Sequence, residues 1–240
     1  MKALLIIPAL NEEHALPSLL QEIRETAWPD GVGVDVVVVD DGSTDGTARI
    51  AREAGGRVLR FCKNLGIGGA VQAGLKVAFR DDYDCAVQVD GDGQHPTSEV
   101  ASLIDVYRGE RTLGMVIGSR YLQRVGFQST FLRRMGARWL SSLLRLFAGV
   151  RCTDPTSGMR LYGRSALRLF DITYPYDYPE PESLASAAAV GLSLREVPVQ
   201  MRERQGGASS IRGFSAAYYM LKVSLAVLLA VLRSQSAVRR

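Results

Sequence analysis

Short apolar runs alternate with stretches of helical periodicity through the first 120 residues. Strands are predicted at Ala3–Ile7, Val34–Val39, Arg57–Phe61, Ala86–Val89 (in an apolar run that opens at Cys85) and Met115–Gly118. Helices are predicted between them, near Leu16–Thr26, through Arg52, over Gly66–Phe79 and over Ser98–Tyr107, the second capped by Thr44 or Asp45. Val34–Val39 is almost pure valine, as expected of a parallel strand covered on both faces. This order predicts an α/β fold with a doubly wound, mostly parallel sheet. Such sheets bind ligands at the carboxyl ends of their strands. In this chain those ends carry Pro8–Glu12, Asp40–Thr44 and Asp90–His95.

The pattern changes after residue 120. Phe131–Phe147 reads as a helix with Arg133, Arg134, Arg138 and Arg145 among apolar residues. Cys152–Arg160 and Tyr174–Glu182 read as loops, residues 183–191 as a helix and Leu194–Val199 as a short strand. From Ser215 to Leu232 only Lys222 is charged, and arginines at 233, 239 and 240 follow. A span needs about 20 apolar residues, so this interrupted stretch fits an amphipathic helix in a membrane interface. A buried core helix and a marginal span are the alternatives. The expected division is a catalytic domain over 1–210 and a membrane-associating helical tail over 211–240.

Composition narrows the class. Of 240 residues, 47% are hydrophobic and 22% charged, which supports a sizeable core. Three scattered cysteines without a signal sequence argue for a reducing compartment. The net charge of +4 is unevenly spread: Ser119–Arg151 holds seven arginines and no acid. Such a belt fits an anionic partner, either phosphates or a lipid surface. No basic–aromatic interleaving or zinc spacing accompanies it, so nucleic acid is not expected.

Candidate chemistry begins at Asp90-Gly91-Asp92. Two carboxylates one residue apart at a strand end suit a divalent cation shared with substrate phosphates. A polar turn is the plain alternative. Beside this pair stand Pro8-Ala9-Leu10-Asn11-Glu12, Asp40-Asp41-Gly42-Ser43 and Asn64-Leu65-Gly66-Ile67-Gly68-Gly69. Together these four elements resemble the inverting family 2 glycosyltransferases of the glycosyltransferase-A fold. Within them the chain resembles the polyprenyl-phosphate, dolichyl-phosphate mannosyltransferase-like, sugar transferases. The resemblance covers residues 3–212 well and the tail loosely.

The resemblance implies residue roles. Pro8, Ala9, Asn11 and Glu12 form a first nucleotide-binding segment, with Leu10 where the family often has Tyr. Asp41 accepts a hydrogen bond from the nucleobase, while Asp40 serves the turn. Gly66, Gly68 and Gly69 let the nucleotide approach closely. Asp90 and Asp92 hold Mg²⁺ or Mn²⁺ against the donor diphosphate, with Gly91 where Ala is common. Gln94 lies near the donor sugar, and His95 is structural. Arg120 and Arg160 are candidates for the acceptor phosphate, against surface or core ion pairs, because a guanidinium fits phosphate oxygens. Arg202 and Arg204 belong to a loop closing over the diphosphate, with Ser209 where the family usually has Lys. Glu180 and Glu182 are read first as helix-capping acids and second as a base.

The implied activity is metal-dependent transfer of a sugar, with inversion, from a nucleotide sugar to a polyprenyl phosphate of the undecaprenyl type. A UDP-sugar is the expected donor. The implied place is the cytoplasmic face of the cell membrane, in cell-envelope glycan modification, beside a small multi-spanning partner protein. One alternative is a soluble transferase with a hydroxyl acceptor and a Glu base. Another is a non-catalytic nucleotide-sugar-binding partner.

Overall fold

The computed structural model describes residues 1–123, 131–202 and 215–238. The first half follows the expected alternation: β1 (Lys2–Ala9), α1 (Leu16–Glu25), β2 (Gly33–Asp40), α2 (Thr47–Glu53), β3 (Arg57–Arg60), α3 (Gly66–Arg80), β4 (Cys85–Gln88), α4 (Thr97–Gly109) and β5 (Met115–Ser119). Then come α5 (Phe131–Leu143), a π-helical turn (Leu144–Ala148), β6 (Arg160–Gly163), α6 (Arg164–Ile172), α7 (Pro179–Ala189), β7 (Leu194–Pro198) and α8 (Ser215–Val238).

The seven strands form one sheet in the order β3-β2-β1-β4-β6-β5-β7. All neighbours are parallel except β6, which runs antiparallel to both β4 and β5. The strand period of two divides the core. Leu4 and Ile6 of β1, with Val37 and Val39 of β2, face α3, α6, α7 and α8. Ala3, Leu5, Ile7 and Val38 face the opposite layer of α1 and α4. Both faces of β1 are covered, which explains its unbroken apolar run.

Three elements depart from the sequence expectation. β6 and α6 were not foreseen, and the expected loop ending at Arg160 gives way to β6 at that residue. A four-residue strand opening on arginine carries no readable period. It forms because β4 and β5 both offer it a free edge. The expected loop over Tyr174–Glu182 stops earlier, since α7 starts at Pro179 with proline in its first turn. Glu182 accepts the Tyr178 backbone N–H at 3.2 Å, confirming its capping role.

The tail helix is two-faced. Val223, Val227 and Val231 enter the core beside α7. Leu221, Leu225, Leu229 and Leu232 point outward. Among the described residues no helix is long and apolar enough to cross a membrane.

Close approach of α3 to β1 depends on Gly74, where a Cβ would overlap the Ile6 side chain. Gly74→Ala should therefore cost about 1–3 kcal/mol through overpacking. Ile6→Ala, which lacks the Cγ1, Cγ2 and Cδ1 atoms that the new Cβ would meet, should cost less in the Gly74→Ala background than it does alone. Urea unfolding of the two variants checks this; additive losses would show that α3 relaxes freely.

Candidate active site

The first two strand ends are stitched together by side chains that reach across the gap. Asn11, at a left-handed φ of 56°, accepts the Thr44 N–H at 2.9 Å through Oδ1. The Asn11 N–H donates to Ser43 Oγ at 3.0 Å, and the Glu12 N–H to Thr47 Oγ1 at 2.9 Å. Asp40 accepts the Ser43 N–H at 2.8 Å, which is its expected turn role. The residue at the N-cap of α2 is Gly46 rather than the expected Thr44 or Asp45, and Asp45, one position earlier, accepts the Thr47 N–H at 2.9 Å.

Asp41 is buried and holds the glycine-rich start of α3. Its two oxygens accept the N–H groups of Leu65 at 2.6 Å and Gly66 at 2.9 Å. A carboxylate has room for about four such bonds, so it can still accept one from a base. Gly66 has φ +83°, a conformation that disfavours a side chain. Gly68 is needed for another reason: a Cβ there would lie 2.5 Å from the Tyr176 carbonyl oxygen.

At the end of β4, His95 is buried and accepts the Asp90 N–H at 3.0 Å through Nδ1. Its Nε2 lies 3.5 Å from Asp90 Oδ2. Gln88 Nε2 donates to Asp90 Oδ1 at 3.2 Å. His95 thus fixes Asp90, in keeping with a structural role. Asp92 is buried and accepts the Gln94 N–H at 3.1 Å. At Gly91 a Cβ would sit 3.1 Å from the Pro8 carbonyl oxygen, so β1 and the Asp90 turn nearly touch. Among the described residues no three acids, histidines or cysteines converge on a metal position. Asp90 and Asp92 therefore fit a hard cation only if diphosphate oxygens and water complete its shell.

Arg160 is not a phosphate ligand. It is 0% exposed, and its donors reach the carbonyls of Ser157 (2.7 Å), Pro155 (2.8 Å) and Glu180 (2.5 Å) and the Ser183 hydroxyl (2.8 Å). Burying a guanidinium requires that its donors be satisfied, and here backbone carbonyls do so. Arg160 is therefore an architectural residue. Glu180 lies in that neighbourhood. Burial raises its carboxyl pKa, Arg160 opposes the shift and the Asp90 charge adds to it.

Arg120 remains at the site, partly exposed and held bidentate by Asp154 at 2.7 and 2.8 Å. Burial pulls its pKa down, but the Asp154 bond outweighs this and the nearby Asp90 charge adds to the rise. Asp154, fully buried, was not foreseen as its anchor; in sequence it is only an acid within the Cys152–Arg160 stretch read as a loop. Beyond Arg120 lies an open cleft of about 1180 Å³ beside Tyr121, lined by Arg134, Arg138, Arg145 and Arg151. Among the described residues none of these four pairs with a carboxylate. Glu196, also in its wall, spends its oxygens on the N–H groups of Thr153 and Asp154, each bond at 2.8 Å.

Arg202 sits away from Asp90 in this structure. Its guanidinium pairs with Glu22 of α1 at 2.6 and 3.0 Å, and its N–H donates to the Gln94 carbonyl at 3.0 Å. Arg204 and Ser209 lie outside the described residues.

Residues 4–170 match the family described as glycosyl transferase family 2. The chain is 33% identical over 223 residues to an undecaprenyl-phosphate mannosyltransferase of Micrococcus luteus, covering 89% of this chain and 88% of that protein. It is 30% identical to a polyprenol monophosphomannose synthase of Mycolicibacterium smegmatis, covering 93% and 86%. In fold it is similar to glucosyl-3-phosphoglycerate synthase from Mycobacterium tuberculosis, solved with Mn²⁺, UDP and glucosyl-3-phosphoglycerate. That likeness has a TM-score of 0.69 at 21% identity and covers 96% of this chain and 79% of the other.

Replacing Arg160 should unfold rather than disarm the protein. Arg160→Met should cost about 3–5 kcal/mol, because it leaves three carbonyls and the Ser183 hydroxyl without the donors that satisfy them, each such loss being about 1–3 kcal/mol. A variant with native thermal stability but no turnover would return Arg160 to the site. The Arg202–Glu22 pair carries a pH signature. Bonding to Arg202 lowers the Glu22 pKa from its ordinary 4.5, so its stabilisation is full above that value and lost as pH falls through the lower, folded one. Arg202→Ala should lower stability at pH 7 by about 0.2–1 kcal/mol, the range for an exposed pair. The gap from wild type should close in acid. A gap of the same size at every pH at which the protein stays folded would point to packing instead.

Proposed function

Because the chain belongs to glycosyl transferase family 2 and is a glycosyltransferase, we propose that it transfers a hexosyl unit from a nucleotide sugar to the phosphate of a polyprenyl phosphate. The observation that carries this reading is the pairing of two regions across Arg120. On one side the Asp90–Asp92 turn meets the stitched loops of β1 and β2. On the other lies the arginine-lined cleft. A donor with a diphosphate suits the first, and an anionic acceptor suits the second. The relatives named for undecaprenyl phosphate and polyprenol support the same acceptor class.

In this reading Asp41 and the α3 start receive the nucleoside, with Pro8, Ala9, Asn11 and Glu12 forming the facing wall. Asp90 and Asp92 present carboxylate oxygens toward the diphosphate, and His95 and Gln88 keep Asp90 in place. A bound Mg²⁺ or Mn²⁺ supplies charge neutralisation for the departing nucleoside diphosphate. An acceptor phosphate oxygen forms a bond to the anomeric carbon as the bond to the diphosphate breaks. Inversion follows the family. Because that oxygen is already ionised at neutral pH, no side chain needs to remove a proton. Arg120, kept charged and oriented by Asp154, aligns the acceptor.

The donor is read as UDP-linked, with a mannosyl donor as its competitor because two relatives are named for mannose. A lipid acceptor implies work at a membrane surface, which we assign to the cytoplasmic face. A hydroxyl acceptor is the second reading. It is favoured by Glu180, whose pKa is raised by burial beside Asp90 and which could take a proton.

Purified enzyme should convert undecaprenyl phosphate, but not undecaprenol, to a glycosylated lipid with one of UDP-glucose, UDP-N-acetylglucosamine or GDP-mannose. Equal use of the alcohol would favour the Glu180 reading. Asp90→Asn or Asp92→Asn should abolish turnover, as should EDTA, while thermal stability stays near wild type. Full activity of both variants in excess EDTA would remove the metal from the mechanism. Asp41→Ala should weaken nucleotide binding by about 1–3 kcal/mol in calorimetry. Unchanged affinity would take Asp41 out of the donor site.

A further inference from the structure

Arg120 is clamped from two sides. On one side Asp154 accepts its Nε and Nη2 donors at 2.7 and 2.8 Å and its backbone N–H at 3.2 Å. Thr156 Oγ1 accepts a further bond from Nη2 at 3.2 Å. On the other side the guanidinium carbon lies 5.4 Å from the centre of the Tyr121 ring. The two sides come from segments far apart in sequence. The turn after Cys152 brings Asp154, and the chain leaving β5 brings Tyr121.

Both sides are fastened to one carboxylate. Glu196 of edge strand β7 accepts the N–H groups of Thr153 and Asp154 through Oε1, each at 2.8 Å. Its Oε2 meets the Thr153 N–H again at 2.9 Å. These bonds set the backbone that carries Asp154. A second route runs through hydroxyls. Thr153 Oγ1 donates its proton to Glu196 at 2.8 Å, so toward Ser119 Oγ, also 2.8 Å away, it can only accept. Ser119 Oγ in turn accepts the Tyr121 N–H at 3.2 Å. Every donor in the row Tyr121, Ser119, Thr153 therefore points toward Glu196.

Glu196 shares the cleft wall with Arg134, Arg138, Arg145 and Arg151, yet it pairs with no arginine among the described residues. An acid placed to balance that charge would form an ion pair. This one is occupied by neutral donors, which leaves the cleft its positive charge and fixes the arginine between the cleft and Asp90. We propose that Glu196 is a positioning residue for the acceptor phosphate, acting through Asp154 on one side of Arg120 and through Tyr121 on the other. This rests on the reading in which Arg120 aligns the acceptor. Glutamine cannot replace Glu196, because its NH₂ would face the Thr153 N–H where an oxygen now stands. A misplacement of about 1 Å in an aligning group can cost on the order of a hundredfold in rate.

The test uses the full chain and farnesyl phosphate, a short, water-soluble prenyl monophosphate. Glu196→Gln should weaken its binding in calorimetry about ten- to hundredfold, the range for losing bonds to a charged group. Binding of UDP and GDP with Mn²⁺ should stay at the wild-type level. Thr153→Val keeps the N–H bonds and breaks only the hydroxyl route, so it should weaken farnesyl phosphate binding about two- to tenfold. In an Arg120→Ala background neither change should have a further effect, because the residue it works through is gone. A second readout needs no ligand. In ¹⁵N-labelled protein the Arg120 Nε–H, identified by its loss in Arg120→Lys, should exchange with water faster in Glu196→Gln. Losses that add in the Arg120→Ala background, or Arg120 exchange at the wild-type rate in Glu196→Gln, would overturn the proposal; Glu196 would then only brace the turn. Faster exchange, with no phosphate binding that depends on Arg120, would uphold Glu196 as the support of Arg120 and refute the acceptor reading alone.

Discussion

A guanidinium without access to water organises the centre of this molecule. Arg160 opens β6, the one strand that runs against its neighbours, and its donors are taken by the 155–157 turn and the start of α7. A buried charge must have its partners in place, so these segments are fixed relative to β4. The consequences reach the site directly. The 154–158 turn brings Asp154 to Arg120. It also brings Gly158 close to Asp90, where a Cβ would meet the carboxylate at 2.9 Å. Glu180 is set beside the same group by the same arginine.

The donor side is built on a different principle. Its ion pair is half open to solvent, with exposed Arg60 meeting the buried Asp40 at 3.2 Å. Short polar side chains instead take up the backbone N–H groups left open where β1, β2 and α3 approach one another. Each bond is modest, about 0.5–1.5 kcal/mol net, but the groups they satisfy would be costly to leave unpaired. The loops are thereby held in shape before any ligand arrives, which lowers the entropy that binding must overcome. Asp41 does two jobs in this scheme, since the acid expected to read the base also fixes the loop under it.

The arginines divide into two chemical classes. Arg120 and Arg160 are each surrounded by acceptors, one by a carboxylate and one by carbonyls. Arg134, Arg138, Arg145 and Arg151 line open space without a carboxylate partner among the described residues. In sequence all six belong to one basic stretch, spanning 120 to 160. What separates them is whether a neighbouring segment brings oxygen atoms to them. The same division applies to α8, whose valines and leucines are alike in hydropathy but face opposite environments.

The sequence by itself determined the alternation of β1 through β5, the two-sided burial of the central strands and the strand ends where the polar motifs gather. Those features are local, since periodicity of two or near four is written in neighbouring residues. It also determined the Asp90–Asp92 pair, whose spacing needs no distant contact. The tertiary structure alone decided that β6 inserts antiparallel between β4 and β5, that Arg160 is a strut while Arg120 stays at the site, and that the tail helix is core on one side and exposed on the other. A residue's burial and partners depend on segments far away in the chain: Arg160 on Ser183, Arg120 on Asp154, Val223 on α7. Residue type states which interactions a side chain can make, and only the packing of distant segments selects among them.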